Sequence, residues 1–155
     1  MSKDPVLPDL PTLLREAAES ASAFVDAARK QVAAHVCENG RINRRRAEEQ
    51  QHLVHGLAWY ATYAETLIQV AHWAERLADA KSLRAIDALL AQLLAGEYAS
   101  QLAGGIAMNQ GEVIRPQDFG DAKLLDFLRA SALLKLSSEG ATQAVKSEIA
   151  ELLAN

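Results

Sequence analysis

Residues 10–37 read LPTLLREAAESASAFVDAARKQVAAHVC, and this stretch decides the fold class. Leu10, Leu13, Leu14, Ala17, Ala21, Phe24, Ala28 and Val32 recur at three- and four-residue steps, which gathers them on one face of a helix. Asp9 stands where an N-cap belongs, and Pro11 falls in the first turn, where its missing N–H costs nothing. Glu38-Asn39-Gly40 stops the run, with Gly40 suited to a left-handed cap.

Outward from this helix the same period continues. Asn43 is placed to cap a second helix over 43–80, carrying Ala47, Leu53, Val54, Leu57, Ala58, Ala61, Ala64, Leu67, Ile68, Ala71, Ala74 and Leu77. Such a helix is about 55 Å long at 1.5 Å per residue. Gly56 lies inside it at a cost of about 1 kcal/mol relative to alanine, the mark of a close helix approach. Trp59, Tyr60, Tyr63 and Trp73 read as fillers of core gaps between Ala-rich helices. Ser82 caps a third helix over 83–103, which Gly104-Gly105 ends. Residues 106–120 lack helical patterning, and a long loop of this kind is the first place to look for function. A fourth helix follows over 121–138, opened by Asp121 and broken by Gly140, and a fifth over 141–154.

Composition agrees. The chain has 155 residues, of which 30 are Ala and 22 are Leu, while Phe, Trp and Tyr together number eight. That mix favours helix over sheet and excludes collagen-like, disulfide-rich and disordered classes. The expected fold is all-α: a bundle of four to five mostly antiparallel helices. The expected organisation is a single helical bundle domain over 9–155 behind an extended tail over 1–8, where Pro5 and Pro8 disfavour helix.

Charge narrows the function. Lys and Arg number 16 against 20 Asp and Glu, a net charge of −4, and the pI is near 5.6. This balance argues against a nucleic-acid binder, which usually shows a basic stripe. The one basic cluster, Arg41, Arg44, Arg45 and Arg46, precedes Glu48 and Glu49 at spacings that suit ion pairs along a solvated helix. No apolar run is long enough to span a membrane. Cys37 is the only cysteine, so no intramolecular disulfide forms. A lone thiol without a secretory leader leads to the expectation of a reducing, cytoplasmic setting.

Few residues suggest chemistry. Glu49, His52 and His55 are three residues apart and would share a helix face. Glu-x-x-His is a motif of dimetal bundles, but those sites need, besides two further glutamates from other helices, a second copy of the motif, which this chain lacks. The reading here is a polar stripe, with no metal ligand assigned. Cys37 sits beside Glu38, which does not favour a thiolate, and no catalytic residue is assigned. The remaining constellation runs from Gly96 to Arg115. There a helix ends in Gln101-Leu102-Ala103-Gly104-Gly105, and Arg115 is the nearest cation. Two glycines admit close approach by a backbone or a phosphate. Gln101 suits a heterocycle edge or a backbone amide. The residues alone favour a helix stop followed by a wandering loop, with ligand contact as the alternative.

Two segments carry a family resemblance. QQHLVHGLAWYATYA at 50–64, continued by Glu65-Thr66-Leu67 and Trp73-Ala74-Glu75-Arg76-Leu77, resembles an N-terminal extension found in one branch of the acyl-CoA dehydrogenase family. So does GEYASQLAGGIAMNQGEVIRP at 96–116. The likeness covers about residues 10–120. It implies a helical-domain-like fold of that family and a non-catalytic accessory role in structure, docking or oligomerisation. The implied partners are the catalytic dehydrogenase domains or subunits, with self-association open as a further mode. No nucleic-acid or membrane partner is implied. The family's own helical domain carries Gln-x-x-Gly-Gly followed by Arg-Asp, an element that contacts the FAD of a neighbouring subunit. Gln101, Gly104 and Gly105 match it, and Arg115 is the corresponding cation. Pro116 follows Arg115, so the Arg-Asp half fails, and the family's catalytic glutamate has no equivalent here. The resemblance therefore implies no cofactor in this chain alone and FAD in the full enzyme. A free-standing bundle that binds an adenine-containing cofactor or a protein partner is the alternative.

Overall fold

Leu10, Leu14, Ala17, Ala21, Phe24, Ala28 and Val32 are all buried in the computed structural model, which describes residues 5–154. They line the inner face of α1 (Leu10–Val36). Asp9 does not act as a side-chain cap. Its backbone is left-handed, and its carbonyl rather than its carboxylate receives the Leu13 N–H, at 3.1 Å.

The helix ends in a small hairpin, β1 (Cys37–Glu38) and β2 (Arg41–Ile42), with Cys37 opposite Ile42. Asn39 and Gly40 both take positive φ, 50° and 75°, the geometry that a two-residue hairpin turn demands. The expected second helix is two. Asn43 caps α2 (Arg44–Glu49) through its Oδ1, which accepts the Arg46 N–H at 3.2 Å. The α-helix then breaks at Gln50 and resumes as α3 (Gln51–Asp79).

α1 and α3 run antiparallel, because partners fall along one as they rise along the other. Arg15 meets Glu75 at 3.5 Å, Phe24 packs on Tyr60 at 4.9 Å between ring centroids, and Val36 shares a groove with Val54. Phe119 completes the ring cluster, edge-on to Tyr60 at 5.5 Å and to Phe24 at 5.9 Å. Edge-to-face rings of this kind add to plain area burial. The Tyr60 hydroxyl is buried and donates to the Leu102 carbonyl at 3.2 Å, and burial pushes its pKa well up.

α4 (Ala85–Gly104) packs antiparallel to α3. Tyr60 bonds to Leu102 and Tyr63 stacks on Tyr98, again in opposite order. Ser82 does not cap it. Asp87 does, accepting the Arg84 backbone N–H at 3.3 Å and gripping the Arg84 guanidinium at 2.7 and 2.8 Å. That bond holds the Asp87 carboxyl below its usual range.

The segment expected to lack helix is mostly a hairpin, β3 (Ile106–Asn109) and β4 (Glu112–Ile114), followed by a 3₁₀ turn (Pro116–Phe119). Ile106 and Ile114 face each other and are both buried. Ile114 lies against Gly56, where a β-carbon would collide with it. The close approach expected at Gly56 therefore comes from a strand, not a helix.

The expected fourth helix is broken into α5 (Leu124–Leu128), α6 (Ser131–Lys135) and a π turn (Leu136–Gly140), before α7 (Gln143–Ala154). The π turn presses on α4. A β-carbon on Gly96 would sit 2.8 Å from the Ala141 nitrogen, and one on Gly140 would sit 2.9 Å from the Gly96 Cα. Ser100 fastens the contact through its hydroxyl to the Ser137 hydroxyl and carbonyl, at 3.1 and 3.2 Å.

The expected tail falls partly outside the described residues, at 1–4. What is described is pinned down. Leu7 is buried and its N–H donates to Oε1 of the fully buried Gln92 at 2.7 Å, while Gln92 Nε2 donates to the Pro5 carbonyl at 2.9 Å. A buried amide costs stability unless both ends are bonded, and here both are. Among the described residues no helix is long and apolar enough to cross a membrane.

Candidate functional site

The end of α4 places the four residues singled out for cofactor contact. Gly105 has φ 115°, a backbone that side chains rarely adopt, and its N–H donates to the Gln101 carbonyl at 2.8 Å. A β-carbon there would meet Arg115 Cγ at 2.9 Å and Val113 Cγ1 at 3.0 Å. The glycine lets β4 and the Arg115 stem close over the helix end. Gly104 faces open space. Arg115 is exposed, with its backbone N–H held by Asp118 Oδ2 at 2.7 Å.

The fold thus brings Gly105 and Arg115 together. Gln101 lies one turn back, and its amide is engaged by the protein itself. Its Oε1 accepts the Tyr63 hydroxyl at 2.9 Å, and its Nε2 reaches the Glu97 carbonyl at 3.5 Å. A glutamine amide has two N–H donors and two acceptor lone pairs, so one of each is left after these two bonds. Nearby lie the exposed Arg115 side chain and the open backbone at Gly104.

Sequence reasoning missed the group beside Gln101. Tyr63 and Tyr98 stack at 4.4 Å with their planes 12° apart. Trp59 lies edge-on to Tyr63 at 6.2 Å, and its Nε1–H donates to His55 Nε2 at 3.0 Å. Of the four aromatic residues read as core fillers, only Tyr60 is fully buried. Trp59, Tyr63 and Trp73 are half-buried. The available signal was the fourfold spacing of His55, Trp59 and Tyr63, which runs along one edge of α3.

The Glu49, His52 and His55 stripe is not one face. The α-helix breaks between Glu49 and His52, Glu49 pairs with Arg45 at 2.9 Å, and His52 Nδ1 faces Glu112 Oε1 at 3.5 Å. Among the described residues no group of His, Cys, Asp and Glu is placed to hold a metal. The arginine cluster makes the expected ion pairs, Arg44 with Glu48 and Arg45 with Glu49, both at 2.9 Å. Arg46 instead reaches Glu38 at 3.3 Å.

Two grooves lie along α1 and α3. One, of about 480 Å³, is lined by charged and small residues including Arg15, Asp26 and His72. The other, of about 300 Å³, is almost wholly apolar, with Val36, Ile42, Val54 and the free thiol of Cys37 on its walls. Neither is lined by Gln101, Gly104, Gly105 or Arg115.

No protein-family model matches the chain. Among curated proteins, (2S)-methylsuccinyl-CoA dehydrogenase of Cereibacter sphaeroides is 38% identical to it over 120 residues. Those residues are 77% of this chain and 22% of the dehydrogenase. The chain is similar to part of an acyl-CoA dehydrogenase, and the match spans about a fifth of that relative's length.

Proposed function

We propose that this chain is a non-catalytic helical accessory domain, with 9–155 as its body, of an FAD-dependent acyl-CoA dehydrogenase that resembles methylsuccinyl-CoA dehydrogenase. The observation that carries the reading is the asymmetry of the match: most of this chain, but only 22% of the dehydrogenase. Such chemistry removes a proton from the acyl-CoA α-carbon with a carboxylate and passes a hydride to flavin. Such catalysis needs a flavin pocket. In this reading the catalysis and the FAD belong to the rest of the enzyme, which works in the cytoplasm and with which this chain associates. Gln101 and Gly105 serve the fold. Arg115 and Gly104 offer a surface contact to a nucleotide held elsewhere.

The test is to isolate the native polypeptide that carries this sequence. We expect bound flavin and oxidation of methylsuccinyl-CoA with an artificial electron acceptor. Residues 1–155 alone are expected to give neither. A native species without flavin, or without any acyl-CoA oxidation, overturns the proposal. Arg115→Ala is expected to weaken FAD retention without changing helix content.

A further inference from the structure

The solvent side of α3 is unlike that of α1. On α1 the exposed residues are Arg15, Glu16, Glu19, Asp26, Arg29, Lys30, Ala34 and His35, mostly charged. On α3 from Gln51 to His72 the one charged residue among the exposed positions is Glu65. No Lys or Arg occurs between Arg46 and Arg76. In place of charge this face carries Val54, Ala58, Thr62 and Gln69, with Trp59 and Tyr63 half-buried along its edge. Two shallow depressions, of about 580 and 250 Å³, indent it around Thr62. Charge depletion with aromatic enrichment is the composition of an interface core, not of a solvated helix. The exposed leucines of α7, Leu152 and Leu153, lack this character because Glu148 and Glu151 lie beside them.

We infer that the outward face of α3 between Gln51 and His72 is the surface this chain presents to the flavin-bearing body of an acyl-CoA dehydrogenase. The inference rests on the function proposed above. Area selects this occupant over a second copy. A face of 22 residues is about 33 Å long and about 10 Å wide, so it buries on the order of 700 Å² counting both partners. A stable dimer of free subunits needs about 1,200 Å² or more. Interfaces between parts of one enzyme begin near 600 Å², because the partners are already held together. The relative supplies such a body, since the matched stretch is 22% of its length.

The test places the photo-crosslinking residue p-benzoylphenylalanine at Thr62 on this face, and separately at Lys30 on α1, in the native polypeptide in cells. Products are identified by mass spectrometry. The expected result is crosslinking from position 62 to peptides of the flavin-bearing body, at least about tenfold above that from position 30. Equal yields, or a larger yield from position 30, overturn the assigned face while leaving the accessory function standing. Crosslinks from position 62 to a second copy of this chain also overturn it. Absence of dehydrogenase peptides from both positions overturns the accessory function with it. As an independent measurement, after limited proteolysis of the native polypeptide between the two parts, Thr62→Arg is expected to weaken retention of the flavin-bearing body about tenfold at unchanged helix content, while Lys30→Glu leaves it unchanged. Equal retention by the two variants overturns the inference.

Discussion

α1 and α3 are almost the same length, 27 and 29 residues, and they pack on each other. Inward they share one solution, with small alanines for close approach and Phe24 against Tyr60 to fill the gap. Outward they diverge. α1 shows water ion-pairing charge, such as Arg29 with Asp26 at 3.0 Å, and α3 shows almost none. Folding constrains the two inner faces alike, through packing. The outer faces are left free to match whatever they meet. The contrast within this pair is therefore on the outside.

Substitutions test that division. The largest effect is expected inside. Phe24→Ala removes a fully buried ring shared by Tyr60 and Phe119, and should cost about 3–5 kcal/mol in denaturant unfolding. A loss below 1 kcal/mol would mean that the shared core does not hold the pair together. Next comes the contact that α4 makes with the π turn. Gly96→Ala gains about 1 kcal/mol of helix propensity but drives a methyl into the backbone at Gly140 and Ala141. Overpacking against backbone costs about 1–3 kcal/mol, so the net effect is a modest destabilisation. A higher melting temperature would show that the π turn yields.

Tyr60→Phe is expected to cost about 1 kcal/mol, because the Leu102 carbonyl loses its donor. It should also change the pH profile. The folded Tyr60 pKa lies above its ordinary value of 10.0. The stability tied to its neutral form is therefore complete below pH 10 and is lost as pH rises toward the folded value. The melting temperature should fall at alkaline pH in the parent and fall less in Tyr60→Phe. The smallest effects are expected outside. Thr62→Arg and Lys30→Glu should each leave the stability of the 155-residue chain within about 0.5 kcal/mol. Thermal melts of both, read beside the retention assay, sharpen the contrast: one face is inert in every assay and the other only in folding.

Much of the fold was legible along the chain. The expected helices at 10–37, 83–103 and 141–154 correspond to Leu10–Val36, Ala85–Gly104 and Gln143–Ala154. Periodicity reads these because each buries one continuous stripe. It failed where a local break carries no residue signal. Gln50 is an ordinary helix former, so nothing in the sequence announces the end of α2. Residues 121–138 keep a helical period, yet packing splits them, with Gly140 seated against Gly96. The hairpin at 106–114 had a readable sign in the alternation Ile106, Met108 and Ile114 around Gly111, but its strands are too short to outweigh the helical background. At the candidate site the close approach of Gly105 to Arg115 was foreseeable from two adjacent glycines. The engagement of Gln101 by Tyr63 was not, because the two residues lie on different helices.

What the sequence determined by itself is the all-α class, the long amphipathic helices and the scarcity of charge between Arg46 and Arg76. Composition and period are local properties, and they survive in any arrangement of the helices. Packing alone decided that Tyr60 turns inward while Trp59 and Tyr63 stay at the edge, and that Gln101 serves Tyr63. It also decided that the charge-poor side of α3 is left uncovered. These depend on which helix faces which. That choice is made by close contacts such as Gly56 with Ile114 and Gly96 with Gly140, between residues far apart in the chain.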